Sequence, residues 1–120
     1  VETSNTKRYD LEERTLKFAL DVALFCKKLP KTMTNAEYVK QLIRSSSSVG
    51  ANYIEANESL SKKDFLMRAK ISRKETKESA FWLQLIKETN SETYKAEATT
   101  LYNEAIELKK ILSAIIEKSS

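Results

Sequence analysis

Arg44-Ser45-Ser46-Ser47-Ser48-Val49-Gly50-Ala51-Asn52-Tyr53-Ile54-Glu55-Ala56-Asn57 holds the chain's only glycine, and nearly every residue around that glycine is small. Four serines in a row ordinarily mark a linker. Here the helical step runs straight through them: Val39, Leu42, Ser46, Val49, Tyr53 and Ala56 recur at intervals of three and four. The stretch is therefore read as helix. Glycine inside a helix costs about 1 kcal/mol against alanine. That cost is explained if a bulky group such as Tyr53, Phe81 or Trp82 packs into the gap. The small belt from Ser45 to Ala51, with Ser72, Thr76 and Ser79 further on, is read as a place where helices approach closely, in preference to a polar ligand cavity. Ser46, Val49, Gly50, Tyr53, Trp82 and Tyr102 are the residues expected at helix packing or at a subunit interface.

Working outward, the same periodicity defines three more helices. Leu11, Thr15, Phe18, Val22, Phe25 and Leu29 form one seam, which Leu16, Leu20 and Leu24 are expected to widen. Phe65, Ala69, Ser72, Thr76, Ser79, Leu83 and Ile86 form a third seam, and Tyr94, Ala98, Leu101, Ala105, Leu108, Leu112 and Ile115 a fourth. Start signals of the capping-box type precede each helix: Asp10 with Glu13, Thr34 with Glu37, Ser61 with Asp64, Thr89 with Glu92. Pro30 ends the first. The expected helices span about 10–29, 35–57, 62–89 and 91–118, after a flexible segment over residues 1–9. Joints of a few residues make neighbours antiparallel. The expectation is a single all-α domain, an up-down-up-down four-helix bundle. One Gly and one Pro in 120 residues leave few places to turn and argue against a sheet.

Composition excludes much chemistry. The chain has no histidine, so neither the usual general base nor the commonest metal ligand is available. Bundle metal sites that use Glu-x-x-His are excluded with it, as are helical nucleases that pair an arginine with a nearby histidine. Cys26 is the only cysteine; it is read as a buried thiol in a reducing, cytoplasmic protein. No apolar run approaches the roughly 18 residues of a membrane span. No catalytic residue, metal, cofactor or small-molecule substrate is expected, and the chain is read as a non-enzyme. Glu55, between Tyr53, Ile54 and Ala56, is read as a buried or interfacial acid that needs a cation from Arg44, Arg68 or Arg73.

Charge is the feature that offers a functional reading, set against that of an ordinary solvated face. The net charge is +4, and residues 62–88 alone hold eight basic and four acidic side chains. Lys70, Arg73, Lys74 and Lys77 fall at i, i+3, i+4 and i+7 on one helical face, and Lys62, Lys63 and Arg68 extend the charge toward the amino end. Such a stripe suits a phosphate backbone. Glu75 and Glu78 dilute it, and Lys74 with Glu78 has the spacing of an ordinary helical ion pair. Arg68, Lys70, Arg73, Lys74 and Lys77 are therefore the expected nucleic-acid contacts. The alternative is a protein-interaction scaffold on which this face is merely solvated.

Tyr9-Asp10-Leu11, the string Gln41 to Ala56, Ser61-Lys62-Lys63-Asp64-Phe65 and Lys74-Glu75-Thr76-Lys77-Glu78-Ser79-Ala80-Phe81-Trp82-Leu83 occur in order over about 110 residues. This combination resembles the bacterial four-helix-bundle proteins encoded by intervening sequences in 23S ribosomal RNA genes. The resemblance implies a left-handed bundle that assembles as a ring-shaped homopentamer. The wider family includes the accessory variability determinant of diversity-generating retroelements, a basic pentamer that associates with a reverse transcriptase and with nucleic acid. RNA, DNA or a reverse-transcriptase-like enzyme are thus the partners that the resemblance implies. The family carries no agreed enzymatic activity or catalytic residue set. This chain departs from the retroelement protein in its modest net charge of +4.

Overall fold

Four helices follow one another along the chain: α1 (Glu2–Lys28), α2 (Met33–Asn57), α3 (Lys62–Thr89) and α4 (Lys95–Ser119), with a 3-10 turn at Glu92–Tyr94 leading into α4. The structure is a computed structural model; it describes the backbone of residues 2–120 and the side chains from Asp10 onward. The expected flexible segment 1–9 lies, in its first residue and its side chains, outside the described residues. The backbone of α1 is already helical from Glu2, so Asp10 lies within the helix and does not cap it.

Sequence-local chemistry sets most helix ends. Ser61 caps α3 as expected, its hydroxyl accepting from the Asp64 amide at 3.1 Å. α2 starts two residues earlier than the Thr34 signal, because Thr32 takes the cap and accepts from the Asn35 amide at 3.1 Å. The Thr89–Glu92 signal fails: Thr89 is the last residue of α3, and its hydroxyl donates back to the Leu85 carbonyl at 2.7 Å. Asn35 and Asn90 then tie the two joints at this end together. Each side-chain amide donates to the other's carbonyl oxygen at 2.9 Å; Asn35 also donates to the Pro30 carbonyl and Asn90 to that of Ile86, both at 2.9 Å. Asn35 is buried, and these bonds satisfy its amide.

Each helix packs on its chain neighbours and α1 also meets α4, so α1 and α3 stand diagonally in an all-α antiparallel bundle 46 Å long. The α2–α3 and α3–α4 contacts are the most extensive, and α1–α4 the sparsest. The core follows the periodic seams: Leu11, Phe18, Val22, Phe25 and Leu29 of α1 meet Leu42, Val49 and Tyr53 of α2, Leu83 and Ile86 of α3, and Ala98, Leu101, Leu108 and Leu112 of α4. Burial of this set is the main stabilising term.

The serine run is helical, and its buried hydroxyls are bonded. Ser45 and Ser79 share a hydrogen bond of 2.9 Å between α2 and α3, and the Ser72 hydroxyl donates to the Val49 carbonyl at 2.6 Å. The small belt is thus a close α2–α3 seam in which each buried hydroxyl finds a partner. Gly50 faces elsewhere. A Cβ built there would lie 2.8 Å from Thr15 Oγ1 and 3.1 Å from Thr15 Cβ, so α1 fills the gap and Tyr53, Phe81 and Trp82 do not. Leu16, Leu20 and Leu24 do not widen the core seam; they are exposed, at 69%, 55% and 47%.

Candidate nucleic-acid interface

α3 carries the charge, and its spacing decides where each cation points. With 3.6 residues per turn, Lys63, Lys70, Lys74, Lys77 and Phe81 fall within about 60° of one another around the helix, along about 27 Å of its axis. All five are exposed. Lys62, Lys63, Lys70 and Lys77 form no ion pair among the described residues. Lys74 has one long contact, 3.9 Å from its own neighbour Glu75. The stripe therefore presents at least three outward ammonium groups to solvent.

The five cations expected on one face divide three ways. Lys70, Lys74 and Lys77 point outward together. Arg73 turns toward α4 and donates weakly to Ser113 at 3.4 Å. Arg68 turns to the opposite side, toward α2, where it donates to Asn52 at 3.4 Å and approaches Glu55 at 3.7 Å. Glu55 is exposed and not the buried acid that its apolar neighbours suggest.

The acids that seemed to dilute the stripe are held elsewhere. Glu75 is buried at the α2–α3 seam and Glu78 lies on the same side. Arg44 of α2 reaches both, donating to Glu75 at 3.3 Å and to Glu78 at 2.6 Å. The Arg44 pKa is raised, first by its hydrogen bond to Glu78 and then, against a desolvation penalty, by the nearby Glu75 charge. The expected Lys74–Glu78 pair is thus replaced by a cross-helix pair, because Arg44 meets Glu78 at close range. One arginine on α2 offsets part of the charge of the two acids and draws both toward α2, away from the outward lysines. The sequence offers Arg44 only as a partner for Glu55. The two are eleven residues apart on one helix, and only the antiparallel register of α2 against α3 reveals Arg44's actual partners.

At the carboxyl end of the stripe stands Phe81, 57% exposed. Trp82 meets its ring edge-on, with centroids 5.1 Å apart and planes at 78°, and Tyr38 lies 6.0 Å beyond Trp82. Trp82 and Tyr102 are partly buried against the core; Ser46, Val49 and Tyr53 are buried within the chain's own bundle. Leu16, Leu20 and Leu24 of α1 form an exposed leucine flank, and Ile43 and Ile54 of α2 are exposed as well.

The family model for 23S rRNA-intervening sequence proteins matches residues 7–114. The chain belongs to that family. A crystal structure of an S23 ribosomal protein family member of unknown function, from Bacteroides thetaiotaomicron VPI-5482, is similar to it. The two share 29% identity with a TM-score of 0.82, over 92% of this chain and 98% of that one. No curated protein matches the chain. For this family member, the four-helix bundle is therefore seen in a solved relative over nearly the whole length. Among the described residues, no helix is long and apolar enough to cross a membrane, and no group of three or more His, Cys, Asp or Glu side chains is placed to hold a metal.

Proposed function

We propose that this family member is a cytoplasmic, non-enzymatic bundle that binds nucleic acid through the outward lysines of α3. Lys70, Lys74 and Lys77 are the principal contacts, Lys63 extends them, Arg73 stands at the α4 edge, and Arg68 plays the least part because it faces α2. The observation that carries this reading is the placement of Arg44, which engages Glu75 and Glu78 at 3.3 and 2.6 Å, so that among the described residues Lys63, Lys70 and Lys77 have no ion pair and Lys74 only a 3.9 Å contact with Glu75. Each phosphate contact releases counterions, so three to five such contacts give a steep loss of affinity with salt. The test is RNA and DNA binding titrated from about 50 to 200 mM salt. Lys70→Glu with Lys77→Glu is expected to abolish binding at unchanged helicity; binding that survives both reversals refutes the assignment.

A second reading, compatible with the first, rests on the leucine face. Leu16, Leu20 and Leu24 follow one another at four-residue steps along α1 and together expose on the order of 300 Å², the size of the largest apolar patch on a typical monomer. We propose that neighbouring copies cover it in a homo-oligomer, a pentamer by family resemblance. A stable contact buries about 800 Å² per partner, so this face would form the apolar centre of such an interface. It lies diagonally across the bundle from the lysines, so assembly leaves them outward. Leu20→Glu is expected to yield monomers in sedimentation analysis; an unchanged mass excludes this face as the interface.

A further inference from the structure

We infer that Phe81 is a stacking platform for an unpaired base, so that the nucleic acid bound by α3 is single-stranded. This inference rests on the lysine reading above and names the class of polyanion. Phe81 lies eighteen residues after Lys63, five full helical turns, and one turn after Lys77. It therefore stands in line with the lysines and about 6 Å along the axis from the last of them. A phosphate held by Lys77 leaves its nucleotide's base within reach of the ring.

Phe81 is 57% exposed, and its ring is presented in a set orientation. Trp82 supports it edge-on at 5.1 Å, and Trp82 itself is anchored on the core beside Tyr38. A platform held in this way needs little ordering when a base arrives. Stacking on an aromatic ring requires an open base face, which a duplex does not offer along its length. Lysines alone do not discriminate single strands from duplexes; the aromatic group at the end of the line does.

A partner helix is the competing occupant, and the pattern disfavours it. A helix docks on apolar anchors at i, i+3, i+4 and i+7, whereas this line holds lysines at four of its five positions and a single aromatic. The other exposed apolar side chain of α3 that stands near the line, Met67, is fourteen residues from Phe81, about 21 Å along the axis. Glu88, which follows in line beyond Phe81, is held by Gln84 at 3.1 Å and marks the end of the cationic track.

The test uses the whole protein with a short oligothymidylate and a duplex of equal length. Trp82 is the only tryptophan and touches Phe81, so its fluorescence reports on a base arriving there. Phe81→Leu is expected to weaken single-strand binding about tenfold, to leave duplex binding and the salt slope unchanged, and to lose the fluorescence change. Phe81→Tyr is expected to restore both. Equal effects of Phe81→Leu on single strand and duplex, or none on either, overturn the stacking assignment while the lysine reading stands. A change of sedimentation state in Phe81→Leu overturns it in favour of a subunit contact. Failure of the unaltered protein to bind either probe at low salt overturns both readings.

Discussion

Replacing Gly50 by alanine tests the closeness of α1 and α2, because two opposing terms can be weighed at one position. Alanine in a helix interior is favoured over glycine by about 1 kcal/mol. At an open site the substitution would therefore stabilise. Here the new Cβ would stand 2.8 Å from Thr15 Oγ1 and 3.1 Å from Thr15 Cβ. Thr15 is buried, and its hydroxyl is engaged with the Glu12 carbonyl at 2.9 Å. Its short, branched side chain has little room to yield. Overpacking of this kind costs about 1–3 kcal/mol, which outweighs the helix gain. The expected net effect is a loss of about 1 kcal/mol, or a melting temperature lower by roughly 4 °C. Gly50→Leu is expected to lose much more. The assay is thermal and urea unfolding of Gly50→Ala, Thr15→Ala and the double variant. Thr15→Ala removes the nearer atom, so Gly50→Ala should be less harmful in that background, with a coupling of about 0.5–1 kcal/mol. A Gly50→Ala variant more stable than the parent, or an equal loss in both backgrounds, refutes the close-approach account.

Arg44→Ala should weaken nucleic-acid binding, even though Arg44 lies on α2 and outside the lysine line, because it uncovers Glu75 and Glu78; adding Glu75→Gln and Glu78→Gln should restore binding. If the triple variant stays weak, Arg44 touches the ligand directly and the shielding account is wrong. Leu20→Glu should convert the proposed oligomer to monomers without loss of helicity, as measured by sedimentation and circular dichroism. Cys26 has its thiol pKa pushed up to about 11 from an ordinary 9.0 by burial. It should stay unreactive toward alkylating reagents at pH 8 until the chain unfolds. Because the folded value is raised, the Cys26 contribution to stability is full below about pH 9 and is lost as pH climbs toward 11, since only the unfolded thiol ionises in that window. Rapid alkylation of the folded protein at pH 8 would contradict its burial.

The seams were legible because helical periodicity reports directly on which side of a helix is buried. Thr15, Phe18, Val22, Leu42, Val49, Ala69, Leu83, Ile86, Leu108 and Leu112 all lie in the core that their spacing indicates. Even the serine run gave itself away as helix, since Ser46 keeps the step between Leu42 and Val49. Spacing fails where the outcome depends on a second helix. Leu16, Leu20 and Leu24 repeat every four residues and look like part of the seam, yet at 100° per residue they lie roughly 120–160° around α1 from the buried Phe18 and Val22, and they face solvent. Arg44 lies thirty-one residues from Glu75, and no local pattern links them; the α2–α3 register does. The same holds for Asn35 and Asn90, fifty-five residues apart and joined only by the packing of two joints. The sequence offers Phe81, with Tyr53 and Trp82, as a candidate to fill the gap at Gly50. Its position in line with Lys63 was present in the sequence, but its exposure depends on which side of α3 meets its neighbours.

The measurement that bears most directly on the central claim is binding of RNA and DNA to the purified protein across about 50 to 200 mM salt, compared with Lys70→Glu/Lys77→Glu. Affinity that falls steeply with salt in the parent, and is absent in the variant at equal helicity, is the predicted result. No binding by the parent even at the lowest salt, or a variant that binds as well as the parent, would contradict it and leave the α3 lysines as a solvated face.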